Sequence, residues 1–368
     1  MTKPPAPHVL QAVACGGTRD AIEEVALFHA RGLTEVGARV TTLAKLPAPR
    51  MEAHRGSGAT VLRIGMLDTT LSAANPFLVA RLAWRMRREG VRGVLIHTGK
   101  AYPLLRLAAP RGVPLISVCH GPNFGLRLGA DIILCLNAEQ EARVRAALGP
   151  RAAEKRILVL PNPSVLPDMD PLPAPAARLM GAAARGEVVV GFLGQLRAVK
   201  GLDLLVEAAA SLVAEGVPLR LRIGGTGEAR AAMEAEAARR GIMDRVEFLG
   251  WVEDRAAFFA GVDIFACPSR DEPFGLVAAQ AMLLGVPVVA SDAAGFRAQI
   301  TPGATGTLVP RGDAAALAAA IRAVMEAPEA AREMAAAAQR QASAQGDRRR
   351  IAERILSEIM EWRAARGR

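Results

Sequence analysis

Short apolar runs alternate with stretches of helical periodicity along the whole chain, a pattern that points to parallel sheets built from βαβ units. In the first half the runs predict strands near 8–14, 38–44, 60–64, 93–97, 114–119, 131–136 and 156–160. A second series predicts strands near 188–193, 219–223, 246–249, 262–266, 286–290 and 307–309. Between the two, prolines gather at positions 161, 163, 167, 171, 173 and 175, and an alanine-rich piece runs to Gly186. That composition reads as a linker with a short helix. The expected architecture is α/β: two Rossmann-like doubly wound parallel-sheet domains, 1–165 and 187–345, joined by the linker 166–186. A length of 368 residues suits two domains of ordinary size. In the tail, 346–368, Ile351, Ile355, Ile359 and Trp362 recur at helical spacing, so this helix needs an apolar surface to cover.

The most informative stretch is 262–291. Val262, Ile264 and Phe265 make an apolar strand that stops at Cys267-Pro268, because proline cannot continue a central ladder. A polar loop, Ser269 to Pro273, holds Arg270, Asp271 and Glu272. A helix follows from about Phe274-Gly275 to Gly285, and the next strand is apolar throughout. Glu272 thus lies where a strand's carboxyl end meets a helix N-terminus with free amides, a place suited to a phosphate or a polyhydroxylated ligand. Glycine turns stand at corresponding places: Gly16-Gly17 after the first strand, Gly194 after 188–193, and Gly225 within Gly224-Gly225-Thr226-Gly227-Glu228. Glycine lets backbone amides approach a ligand closely, and it also serves purely steric needs in βα turns. The spacing G-x-G-x-x-G is absent from the 224–228 turn, which argues against a dehydrogenase.

This stretch resembles the signature of the family 4 glycosyltransferases, retaining enzymes of the GT-B fold that use a nucleotide-sugar donor. Glu272, Phe274, Gly275, Leu276, Ala281, Met282, Gly285, Pro287, Val288 and Val289 match E-x-F-G-L-x-x-x-E-A-M-x-x-G-x-P-V-V, whereas Gln280 stands where the second Glu is usual. The run Gly191 to Gly201 resembles the family's G-R-L-x-x-x-K-G: Lys200 matches, Gln195 replaces the Arg, and Arg197 follows two residues on. Lysine is rare here, five among 46 basic residues, so a lysine kept as a point charge for phosphate fits the motif. The resemblance covers nearly all the chain and is specific from Phe192 to Ala290.

The resemblance implies that 187–345 holds the donor and 1–165 the acceptor, with the last helix crossing back onto the first domain. It implies that Glu272 contacts the donor sugar's hydroxyls and that Lys200 holds the diphosphate. The amides of Phe274, Gly275, Leu276 and Val277 would face polar groups of the donor, and Gln280 the ribose. Gly16, Gly17, Gly194, Gln195, Arg197 and Gly225 fall on its donor-binding loops. It also adds weight to His120, in L-I-S-V-C-H-G, as a catalytic-site residue. Two acceptor-side features depart from the family: Pro163 replaces the glycine of P-N-G-V-D, and only nine residues separate His120 from Ala130-Asp131, where many relatives carry a helical insertion. Gln195 and Gln280 remove one cation and one anion from the same pocket, so the two are expected to compensate.

His97 and His120 each end a strand and precede a glycine within two residues, so both are expected to project into a crevice at the strands' carboxyl ends. For His97 a hydrogen-bonded structural role is an equal alternative. Cys15, Cys119, Cys135 and Cys267 end apolar runs without metal-type spacing and read as buried, reduced thiols. Asp168-Met169-Asp170 has the form of a D-x-D metal motif, but prolines flank it in the linker and it reads as spacer. Neither a metal nor a cofactor is expected.

The net charge of +10 is unevenly placed, with eight Lys or Arg and a single acid, Glu89, between Arg81 and Arg111. A nucleic-acid partner is disfavoured by 4% aromatics and one Tyr, which leave little for base stacking. In the helix 77–89, Leu78, Val79, Leu82, Ala83 and Met86 share a face that should pack on the sheet. Phe77, Arg81, Trp84, Arg85 and Arg88 share the other, and aromatics among arginines are expected to face an anionic membrane. The alternative is aromatics covered by a loop and arginines that merely solubilise. With no long apolar segment and no apolar leader, the expected location is cytoplasmic, peripheral to the inner face of a bacterial cytoplasmic membrane.

The resulting expectation is a retaining, metal-independent hexosyltransferase acting from a nucleotide-sugar onto a lipid-linked, lipopolysaccharide or polysaccharide acceptor. One alternative is a non-catalytic nucleotide-sugar-binding protein, suggested by Gln195 and Gln280. Another, an epimerase or phosphorylase, is disfavoured because neither an acidic cluster nor a cofactor-lysine motif is present.

Overall fold

The computed structural model describes residues 6–14, 21–65, 67, 69–121, 123–162 and 172–367. Cys15, Gly16, Gly17 and Asp168 to Asp170 therefore lie outside the described residues. The chain divides into two units, Met1–Val165 with Gly346–Arg368, and Leu166–Gln345.

The first unit is built on β1 (His8–Ala14), β2 (Arg39–Lys45), β3 (Thr60–Arg63), β4 (Val91–Ile96), β5 (Leu115–Val118), β6 (Ile132–Cys135) and β7 (Arg156–Val159). They form one parallel sheet in the order β3-β2-β1-β4-β5-β6-β7. Its helices are α1 (Ala21–Glu35), α2 (Ala48–Gly56), α3 (Pro76–Arg88), α4 (Tyr102–Ala108) and α5 (Ala138–Leu148). In the second unit, β8 (Val188–Leu193), β9 (Leu219–Gly224), β10 (Val246–Gly250), β11 (Ile264–Cys267), β12 (Val288–Ser291) and β13 (Thr307–Val309) pair in parallel in the order β10-β9-β8-β11-β12-β13. Its helices are α6 (Ala177–Met180), α7 (Ala182–Arg185), α8 (Leu202–Ala214), α9 (Arg230–Arg239), α10 (Arg255–Ala260), α11 (Leu276–Leu283), α12 (Ala294–Arg297), α13 (Ala314–Glu326) and α14 (Pro328–Gln345). The central strands are buried on both faces, which is why they read as continuous apolar runs. Each sheet reverses its winding once, between β1 and β4 and between β8 and β11, and ligands of such sheets bind outside the strand ends at that point.

The last helix, α15 (Arg348–Ala364), follows the second unit in sequence and packs in the first, against α1 and β4. Ile351, Ile355, Ile359 and Trp362 are buried there. Glycines make room for it: a Cβ on Gly32 of α1 would overlap the Arg348 carbonyl, and one on Gly93 of β4 would meet Ile359. Arg348 bonds Glu35 at 2.8 Å, and Arg156 of β7 pairs with Glu358 and Glu361.

β11 starts two residues later than its apolar pattern suggests. Asp263 is the reason: its buried carboxylate accepts from the Val189 amide at 2.7 Å and from Arg185 at 2.6 Å, fixing the entry to the strand.

Candidate functional site

Because β8 and β11 are neighbours, the loops leaving their carboxyl ends meet, and Lys200 Nζ donates to Glu272 Oε2 at 2.6 Å. The pair is half-buried, with side chains 25% and 13% exposed. Lys200 ends a tight turn, and Gly201 follows at φ +67°, where a Cβ would overlap the Pro268 carbonyl oxygen at the end of β11. Only glycine suits both that backbone and that approach.

Arg270 ties the two loops together. Its amide donates to the Val199 carbonyl at 2.8 Å, and its guanidinium donates to the Ala198 carbonyl at 2.9 Å. The same guanidinium grips Asp203 with two bonds, 2.8 and 2.6 Å, which hold that carboxyl below the usual range. The loop bearing Glu272 is thereby strapped to the turn bearing Lys200. On its far side, the Gly295 amide donates to the Glu272 carbonyl at 2.8 Å, and Gln299 donates to the carbonyl of Phe274, whose ring is buried. Gly275, at φ +86°, precedes α11 without a side-chain cap. The first-turn amides of Leu276 and Val277 then lack intrahelical acceptors and carry the positive end of the helix dipole.

The glycine loops lie against each other: Gly194 N donates to Gly224 O at 3.0 Å and Leu196 N to Thr226 O at 2.9 Å. A Cβ on Gly225 would overlap the Gly194 carbonyl. Gln195 and Arg197 are exposed beside them, and Arg197 faces Glu228 at 3.5 Å. Gln280 is fully buried, and its Oε1 accepts from Arg255 Nη1 at 3.2 Å, so the position of the replaced carboxylate already faces a cation. Sequence reasoning missed Arg255, Asp203 and Asp263 because nothing local marks a partner so far along the chain. Cys267 is inert: burial, with Glu272 nearby, pushes its thiol up.

In the first unit, the expectation for one histidine needs correction. His120 is half-buried after β5, but His97 is fully buried and does not project into a crevice. Its Nδ1 meets His120 Nε2 at 3.0 Å, with the rings stacked 5.3 Å apart. His29 of α1 lies 5.2 Å from the His97 ring on centroids, and His54 of α2 lies 3.6 Å from Glu23, itself 3.6 Å from Arg50. Burial lowers His29 to about 4 and His97 well below its ordinary value; His120 is lowered too, by burial first and then by Arg127. Arg127 donates to the carbonyls of Val118, Asn123 and His97 at 3.2–3.3 Å. His29 interrupts the buried stripe Val25, Ala26, Phe28, Ala30 and Leu33, a signal that could have placed it inside.

On α3, Leu82 and Met86 are buried and Leu78, Val79 and Ala83 half-buried, while Phe77 and Trp84 are 85% and 57% exposed. Arg88 lies over the Trp84 ring at 5.0 Å, and Arg81 is exposed. Arg85 does not belong to this open face: it is half-buried, with Nε 2.6 Å from the Glu89 carboxylate one turn on. No helix among the described residues is long and apolar enough to cross a membrane.

Residues 181–341, which hold Lys200, Glu272, Gln280 and all their partners named above, match the family model of glycosyl transferases group 1. This segment is similar to the group 1 glycosyl transferases. The chain carrying it is 40% identical over 207 residues to the D-inositol 3-phosphate glycosyltransferase of Geodermatophilus obscurus, covering 53% of this chain and 46% of that protein. It is 36% identical over 154 residues to the phosphatidyl-myo-inositol mannosyltransferase of Mycobacterium leprae, covering 41% and 40%. The chain spans about half the length of the curated relatives it matches. Among solved structures it is similar to Anabaena Alr3699/HepE in complex with UDP and glucose, with a TM-score of 0.77 and 21% identity over 96% of this chain and 100% of that one. The fold is GT-B, with two Rossmann-like parallel-sheet units and a helical C-terminal segment.

Proposed function

We propose that this chain is a retaining, metal-independent glycosyltransferase that moves a hexose from a nucleotide-sugar to a lipid-linked or polysaccharide acceptor. The Lys200–Glu272 contact carries the reading. It puts a cation suited to a diphosphate beside a carboxylate suited to sugar hydroxyls, at the amino end of α11. Lys200 neutralises the charge that builds on the leaving nucleotide, with the first-turn amides adding to it, and Glu272 orients the sugar. These groups supply the charge work that a divalent ion would otherwise do. Activity abolished by EDTA and restored by magnesium or manganese contradicts that part.

A thermal-shift panel of UDP-, GDP- and ADP-sugars tests the donor site, since a ligand at 100 times its Kd stabilises the folded state by about 2.7 kcal/mol. One nucleotide class is expected to shift the wild type, and Lys200→Met or Glu272→Gln to weaken that donor roughly 10–100-fold. No shift by any of them refutes the reading. Product NMR showing an inverted anomeric centre refutes retention. A donor that binds yet is neither transferred nor slowly hydrolysed favours a binding protein, the reading that the uncharged Gln280 invites.

The open face of Phe77, Arg81, Trp84 and Arg88 supports a membrane-borne acceptor, and the mycobacterial relative is named for a phosphatidylinositol substrate. Each arginine near an anionic surface contributes about 1 kcal/mol. Co-sedimentation with phosphatidylserine vesicles at moderate salt should fall at least tenfold in a variant with Arg81→Ala, Trp84→Ala and Arg88→Ala. Sedimentation equal to wild type removes the membrane from the proposal, and with it the peripheral location.

A further inference from the structure

We propose that His97 is a positioning residue that fixes the tautomer of His120, so that His120 presents an Nδ1–H donor, and not a base, at its exposed edge. This rests on the reading of His120 as a site residue of a transferase.

Two imidazoles whose nitrogens lie 3.0 Å apart share one proton when both are neutral, so one donates and the other accepts. Their surroundings keep them neutral. His97 is fully buried, and the Arg127 guanidinium bonds the carbonyls of His97 and Val118 directly beside the pair. A further positive charge there would be repelled and poorly solvated.

The other nitrogen of His97 decides the direction. Nε2 is buried and has no hydrogen-bond partner among the described residues. The neighbouring His29 ring makes no hydrogen bond to it, although the two ring centroids lie 5.2 Å apart. A buried N–H without an acceptor is rarer and costlier than a buried lone pair without a donor. The proton of His97 therefore sits on Nδ1, where a partner exists, and His97 donates to His120 Nε2. That nitrogen must be bare, which leaves the one proton of neutral His120 on Nδ1.

His120 is half-buried, and its Nδ1 is not among the buried polar atoms that lack partners. An N–H at that edge suits an oxygen: a sugar hydroxyl's lone pair or a phosphoryl oxygen. It cannot take the proton of an attacking hydroxyl, because its only lone pair already accepts from His97. His120 thus orients an oxygen.

Long-range 1H–15N correlation spectra of the full chain with labelled histidine test this directly, since there are only five histidines to assign. At pH 7 and without any sugar present, His120 is expected to show the Nδ1–H pattern. The Nε2–H pattern, or a cationic ring, overturns the inference, and this wild-type measurement stands even if a variant fails to fold. His97→Asn places an amide N–H near the Nδ1 position and should preserve the pattern; His97→Phe should lose it. With whichever nucleotide-sugar proves to be the donor, kcat should fall roughly tenfold in His97→Phe and less in His97→Asn, with donor KM little changed. Equal losses in both variants mean a merely structural His97 and overturn the proposal. Failure to bind any nucleotide-sugar while the tautomer is as stated removes the transferase reading and leaves the tautomer assignment intact.

Discussion

At position 280 a buried glutamine accepts a hydrogen bond from Arg255, and this changes what its replacement should do. On motif grounds Gln195 and Gln280 form a matched loss of one cation and one anion. Arg255 offers a carboxylate at 280 a cation of its own, so Gln280→Glu should not depend on Gln195→Arg. Donor affinities of wild type, both single variants and the double, measured by calorimetry, should close an additive cycle within about 0.5 kcal/mol. Coupling well above 1 kcal/mol would restore the compensation. Lys200 and Glu272 were legible in the sequence because each sits in a contiguous motif that fixes its own loop. Arg255, Asp203 and the His97–His120 contact were not, because each depends on contacts made only when separate βα units pack.

Among the elements, the strand pattern carried the parallel topology, because central strands buried on both faces leave uninterrupted apolar runs. Element ends were less legible. Asp263 delays β11 through a bond to another strand, and Arg85 folds back to Glu89 instead of joining the open face of α3. The turn that carries Lys200 depends on Gly201, at φ +67° against the Pro268 carbonyl. Gly201→Ala combines a left-handed backbone, costing about 1–2 kcal/mol, with a backbone overlap that must be relieved by moving the turn. Denaturant melts should show the second unit destabilised by at least about 2 kcal/mol. Donor binding should weaken further than that loss explains, because Lys200 moves with the turn. A variant as stable as wild type would show that the turn adapts freely.

At the scale of the molecule, all five histidines lie in the first unit, so acid should act on the two units unequally. His29, His97 and His120 have values lowered from 6.5, so the unfolded chain takes up protons that the folded unit refuses. Their contribution is fully present above about pH 6.5 and is lost as pH falls toward the folded values. His29 alone, at about 4, accounts for a loss on the order of 3 kcal/mol by pH 4. Hydrogen exchange at pH 7 and pH 5 should show protection falling in β1, β4 and α1 before β8 and β11. Equal loss in both units would refute the assignment. The route of α15 has a further outcome during synthesis. The apolar surface of α1 and β4 that α15 covers is translated early, yet its cover emerges only after Leu166–Gln345 has been made. At ordinary elongation rates that strip waits about 10–40 s on the ribosome, open to chaperones and to neighbouring nascent chains. The unit written first closes last.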